Sequence, residues 1–96
     1  MTLVRQHTYT LDPADLAEHL ARRAKAIDAI RVDHPGLVRT QLTRLTDGTF
    51  TDAWHWDTAE HMGAAFAAAP GIPEIGPAMA LTRDHSAENG EVVDER

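Results

Sequence analysis

Cysteine is absent from the sequence, which excludes a disulfide framework, a thiolate nucleophile and any zinc site built on thiolates. Basic residues are scarce: nine Lys and Arg stand against fifteen Asp and Glu, a formal charge of -6, and apart from Arg22, Arg23 and Lys25 they are scattered. Phosphate-rich partners need clustered positive charge, so neither nucleic acid nor an anionic membrane is expected as the main partner. No apolar run approaches membrane-spanning length, and MTLVRQHTYT lacks the basic and then apolar blocks of a signal peptide; the expectation is a cytoplasmic protein. Aromatic residues number only five, and sixteen of the apolar residues are alanine. One domain, residues 1–96, would bury about two-thirds of its unfolded surface. With so few large side chains, a second subunit would help to complete its core.

What is present has sharp punctuation. LVRQHTYTL, residues 3 to 11, reads as a strand. LDPAD then starts a helix, with Asp12 as N-cap and Pro13 at the first helical position, and Leu16, Leu20, Ala24, Ile27 and Ile30 form its apolar stripe as far as Asp33. Glu18 and Arg22 sit four apart on the polar face, and His34, Pro35 and Gly36 end the helix. LVRTQLTRLT and TFTDAWHW flank Asp47-Gly48, the signature of a two-residue type I′ hairpin. Asp57 or Thr58 caps a second, alanine-rich helix, TAEHMGAAFAAAP, with Glu60 placed for a capping box on Asp57. After the connection GIPEIGP, AMALTRDH reads as a fourth strand, and residues from about 87 to 96 as an acidic tail. The order βαββαβ is the ferredoxin-like α+β arrangement: a four-stranded antiparallel sheet with both helices on one face. The other face needs cover, most simply an identical sheet from a second copy in a homodimer.

The stretch TDAWHWDTAEHM holds both tryptophans and two of the six histidines. With Asp47 and Gly48 as the only turn residues, Leu45 pairs with Phe50, Thr43 with Asp52, Gln41 with Trp54 and Arg39 with Trp56. All of these share one face, and His55 points away from it. Two indoles among Arg39, Gln41 and Asp52 resemble the wall of a pocket for a flat, oxygenated ligand. The plainer alternative is core tryptophan with Arg39 laid over the Trp56 indole and reaching water.

Taken together, the order of elements, "HPG" after the first helix, "DGT" in the hairpin and "HWDTAEHM" at the entry to the second helix resemble the antibiotic biosynthesis monooxygenase domain of the dimeric α/β barrel superfamily, over residues 3 to 93. That resemblance implies a homodimer. It also implies kinship with cofactor-independent oxygenases that turn polycyclic phenols into quinones, with haem-degrading enzymes, with signal-molecule isomerases and with proteins of unknown activity. Trp56 matches the tryptophan that lines the pocket in the quinone-forming and haem-degrading members. Asp52 matches an amide residue four positions earlier that takes part in quinone formation. A carboxylate there can act as a base toward a phenol if burial raises its pKa, whereas a position four past Gly48 also fits a solvated strand end. A tyrosine six positions after the tryptophan is replaced by Met62. The first strand has no asparagine, and Ala64, Ala65 and Phe66 stand where many relatives carry a histidine, so haem degradation is not expected.

His7 and Tyr9 share a face of the first strand with Arg5 and are candidate proton handlers. His61 is a candidate for the pocket mouth; His19, His34 and His85 read as solvent-facing or capping residues. No pair has metal-binding spacing such as H-E-x-x-H, so no metal is expected. Two functions follow. In the first, a cofactor-independent monooxygenase binds a small aromatic molecule against Trp54, Trp56, Phe66 and the alanines of the second helix, with Asp52, His7 or Tyr9 moving protons and Arg39 or Gln41 holding oxygen atoms. The second is a noncatalytic dimeric domain that binds a small molecule or a partner.

Overall fold

A computed structural model describes residues 2–96. Its strands are β1 (Leu3–Thr10), β2 (Leu37–Arg44), β3 (Phe50–Trp56) and β4 (Arg83–Glu91), and its helices α1 (Leu16–Asp33), α2 (Ala59–Ala68) and α3 (Ile75–Met79). The sheet order β2-β3-β1-β4, antiparallel throughout, is ferredoxin-like. Asp12 accepts a hydrogen bond from the Ala14 N–H at 2.9 Å and caps a 3-10 turn, Pro13–Asp15, that leads into α1. Thr58 caps α2 by accepting from the His61 N–H, so the expected capping box of Asp57 and Glu60 gives way to a single hydroxyl cap. Gly36 lets the start of β2 lie against the N-terminus of α2: a Cβ there would stand 2.6 Å from Asp57 Oδ1 and 2.8 Å from His61 Cβ.

Three expectations are corrected. The connection after α2 contains a short helix, α3, which packs against α1, and β4 lies later than the expected strand, so residues 87 to 91 belong to the sheet and not to a tail. The buried stripe of α1 is His19, Ala26, Ile27 and Ile30, while Leu20 is exposed. The helix is thus rolled about its axis relative to the expected stripe, which turns Arg23 inward.

The third correction concerns the β2–β3 register. Leu45 N–H donates to Thr49 O at 2.8 Å and Gly48 N–H to Leu45 O at 3.0 Å, with Gly48 at φ 88°. Those bonds define a three-residue loop, a turn followed by a left-handed glycine, rather than the two-residue turn. One extra loop residue shifts the pairing by one: Thr40 faces Trp54, Leu42 faces Asp52 and Arg44 faces Phe50, with a bulge before Leu37 meets Trp56. Arg39, Gln41 and Thr43 therefore lie on the outer face with His55 and Ala53, away from the tryptophans.

Two apolar clusters fill the space between sheet and helices. Ile27, Ile30, Leu37, Trp56, Met62 and Ala65 form one, and Tyr9, Leu11 and Phe50 the other.

Candidate active site

Between these clusters lies a cavity of about 150 Å³. The sheet supplies His7 and Tyr9 from β1, Trp54 and Trp56 from β3 and His85 from β4. Helix α1 supplies Arg23, Ala26 and Ile30; Ala65 and Phe66 of α2 and Ala78 and Met79 of α3 close the far side. Phe66 is 41 % exposed, so the cavity reaches the surface beside it. Small residues at positions 26, 65 and 78 make the space: at these three points the helices present only a methyl group to the cavity.

Beside the cavity sits a buried polar network centred on Asp52, which is 4 % exposed. Oδ1 accepts from Arg23 Nη2 at 2.8 Å and Trp54 Nε1 at 2.7 Å; Oδ2 accepts from Arg23 Nε at 3.0 Å and the Tyr9 hydroxyl at 2.9 Å. Four donors fill the four acceptor positions of a carboxylate. Because the Tyr9 proton points at Asp52, His19 Nε2, 2.9 Å from the same hydroxyl, must be the donor in that contact. Burial, then the charge of Asp52, holds the Tyr9 hydroxyl well above the ordinary phenol range. Burial likewise lowers His19, with Asp52 opposing, and the ring is neutral at neutral pH. Its Nδ1 makes no hydrogen bond among the described residues, and neither does the Trp56 indole N–H, buried with its ring at 2 % exposure.

A second pair lines the other side. His7 Nδ1 is 3.1 Å from His85 Nε2, and the His85 ring is stacked on Tyr9 with centroids 5.9 Å apart and 8° between planes. Burial, reinforced by His85 and Arg5, lowers His7 from 6.5 to about 4 against the pull of Asp52. At the mouth the Arg5 guanidinium lies over the Phe66 ring, 4.8 Å from its centroid, and donates to Asn89 Oδ1 at 3.0 Å.

Of the residues singled out in the sequence, His7, Tyr9, Trp54, Trp56 and Phe66 come together around the cavity. Asp52 is behind the lining, held by four donors, and is not a solvated strand end. Arg39 and Gln41 are exposed on the outer face; Arg39 lies 3.8 Å from Glu95. His61 is exposed, bonded through Nδ1 to Asp57 Oδ1 at 2.6 Å, and is absent from the cavity wall. Arg23, His19 and His85 were missed. His19 and Arg23 are four apart and in step with Ile27 and Ile30, so two polar residues on the apolar stripe were the available signal. His85 had no local signal. Among the described residues no group of His, Asp and Glu could hold a metal ion, and no helix is long and apolar enough to cross a membrane.

No family model and no curated protein matches the chain. Solved structures do. SnoaB from Streptomyces nogalater, a cofactor-independent oxygenase in a mutant form, superposes with a TM-score of 0.78 at 19 % identity, over 98 % of this chain and 95 % of that one. A protein of Caulobacter crescentus provisionally named an antibiotic biosynthesis monooxygenase gives 0.74 at 18 % identity, over 97 % and 91 %. A mutant of MhuD with two manganese protoporphyrin IX molecules bound per active site gives 0.69 at 22 %, over 98 % and 97 %. The chain therefore has the fold of the antibiotic biosynthesis monooxygenase domains.

Proposed function

We propose that the protein is a cofactor-independent monooxygenase that oxidises a small electron-rich phenol in the cavity beneath Trp54 and Trp56. The observation that carries this reading is an apolar cavity with aromatic walls, lined by the neutral imidazole of His7 and with the Arg5 guanidinium stacked on Phe66 of its wall. Likeness in fold to SnoaB, itself described as a cofactor-independent oxygenase, supports it. In the overall reaction a phenol and dioxygen give a quinone and water: one oxygen atom enters a ring carbon and the other leaves with two hydrogens. The protein's part is to ionise the phenol, hold the ring flat and exclude water. Asp52 is a poor candidate for the base, because all its acceptor positions are occupied; its work is to fix Tyr9, Trp54 and Arg23.

Cavity size narrows the substrate. About 150 Å³ is the order of space that admits a single benzene ring, which favours a one-ring phenol over the polycyclic substrate expected from the resemblance. A second copy laid on the outer sheet face would complete a dimeric barrel; sedimentation at micromolar concentration tests that, and a stable monomer refutes it.

The competing reading, a noncatalytic dimeric binding domain, is favoured by Met62, a buried core residue where quinone-forming relatives carry a tyrosine. Oxygen uptake with a panel of one-ring hydroxyphenols and no added cofactor decides between them. Uptake accelerated by the protein and reduced by Trp56→Phe supports the oxygenase; binding without acceleration leaves the binding domain.

A further inference from the structure

The edge strand β4 departs from regular pairing at one place, and that place is His85. Thr8 pairs with Ser86 and Thr10 with Arg83, so Asp84 and His85 together lie opposite Tyr9 alone, a β-bulge of two residues against one. Asp84 takes φ 53°, the one left-handed non-glycine residue among those described, and its Oδ2 accepts from the Thr10 hydroxyl at 3.0 Å. Bulges re-aim side chains, and backbone held in a sparsely populated region persists only when its surroundings enforce it. Here the consequence is visible: the His85 ring leaves the edge of the sheet, stacks on Tyr9 and meets His7.

We propose that His7 and His85 form the proton-accepting pair of the cavity, in which His7 Nε2 takes the proton of a bound phenol while His7 Nδ1–H passes its own proton to His85 Nε2. His85, on the exposed edge strand, then releases a proton to water, and the phenolate remains as the electron-rich species. One O–H bond breaks, one proton reaches solvent, and no oxidant is involved in this step. The inference rests on the phenol-binding reading above and extends it by assigning the base.

Two histidines are needed because the first cannot keep the charge. His7 is partly buried, and burial, His85 and Arg5 all oppose an imidazolium there, with Asp52 favouring it. A neutral His7 has one ring nitrogen engaged with His85 and the other, Nε2, free of any hydrogen bond among the described residues. Arg5, which opposes the imidazolium, favours a phenolate in the same surroundings, whereas Arg23 at the cavity wall is already neutralised by Asp52.

The test uses 4-nitrophenol, a one-ring phenol whose neutral and ionised forms absorb at different wavelengths, at mildly acidic pH where the free probe is protonated. Bound to the native protein it should show the phenolate band. In His7→Gln and His85→Gln the ratio of bound phenolate to bound phenol should fall by roughly tenfold or more, one pKa unit. Asp84→Gly, which tolerates the left-handed backbone and frees the bulge, should give a smaller fall in the same direction with His85 still present. Circular dichroism of each variant verifies the fold. A neutral bound probe in the native protein overturns proton acceptance, and an undiminished phenolate band in His85→Gln overturns the relay. Failure to bind the probe at all overturns the one-ring cavity reading itself.

Discussion

The inner and outer faces of the β2–β3 hairpin carry the same kinds of residue in different states. On the inner face Asp52 and Arg23 meet bidentately, almost out of reach of water, with Tyr9 and Trp54 completing the carboxylate's coordination. On the outer face Arg39 and Glu95 approach at 3.8 Å with both side chains more than half exposed, and Gln41 is exposed as well. An aspartate–arginine pair inside positions three cavity-side groups at once; an arginine–glutamate pair outside positions nothing. Polar residues near an aromatic cluster therefore differ in meaning according to which face they reach, and one loop residue decides the face.

The sharpest way to break this contrast is Asp52→Ala, which leaves the Arg23 guanidinium buried without a partner. It should cost about 3–5 kcal/mol in urea unfolding. A loss of less than 1 kcal/mol would mean the network is not the anchor of the site.

Acid gives a second handle. With His7 held at about 4 against 6.5 when unfolded, stability is unchanged by this group above pH 6.5, where both states are neutral. Below that the unfolded chain takes up the proton first, so stability falls as pH drops from 6.5 toward 4. His19, also lowered by burial, adds to the same slope. Urea midpoints across this window should show the decline, and His7→Gln should make it shallower. Gly48→Ala, at φ 88°, should cost about 1–2 kcal/mol by straining the loop that sets the register. Arg39→Ala on the outer face should change stability by no more than about 1 kcal/mol.

Much of the architecture was legible because local chemistry writes it plainly. Pro13, the Asp47-Gly48 pair and the run from His34 to Gly36 mark boundaries that the structure keeps to within a few residues, and Glu18 meets Arg22 at 2.9 Å as its spacing implies. What was illegible depends on single-residue offsets. Asp47-Gly48 serves a two-residue or a three-residue loop equally well, and the choice moved Arg39 and Gln41 from beside the tryptophans to the opposite face. The roll of α1 that brings His19 and Arg23 inward is fixed by a tertiary partner, Asp52, which no local pattern on the helix reveals. His85 reaches the cavity through a bulge opposite Tyr9, a property of strand pairing across more than seventy residues of sequence.

The central claim is that a one-ring ligand occupies the space left by small helix residues under Trp54 and Trp56, and calorimetric titration of native protein and Ala65→Leu tests it most directly. Ala65 is buried in the cavity wall, and leucine there fills space that is already open. The native protein should bind a one-ring phenol and exclude a three-ring anthrone phenol, while Ala65→Leu, equally or more stable, should bind neither. Unchanged binding in Ala65→Leu, or tighter binding of the three-ring compound, would contradict the account.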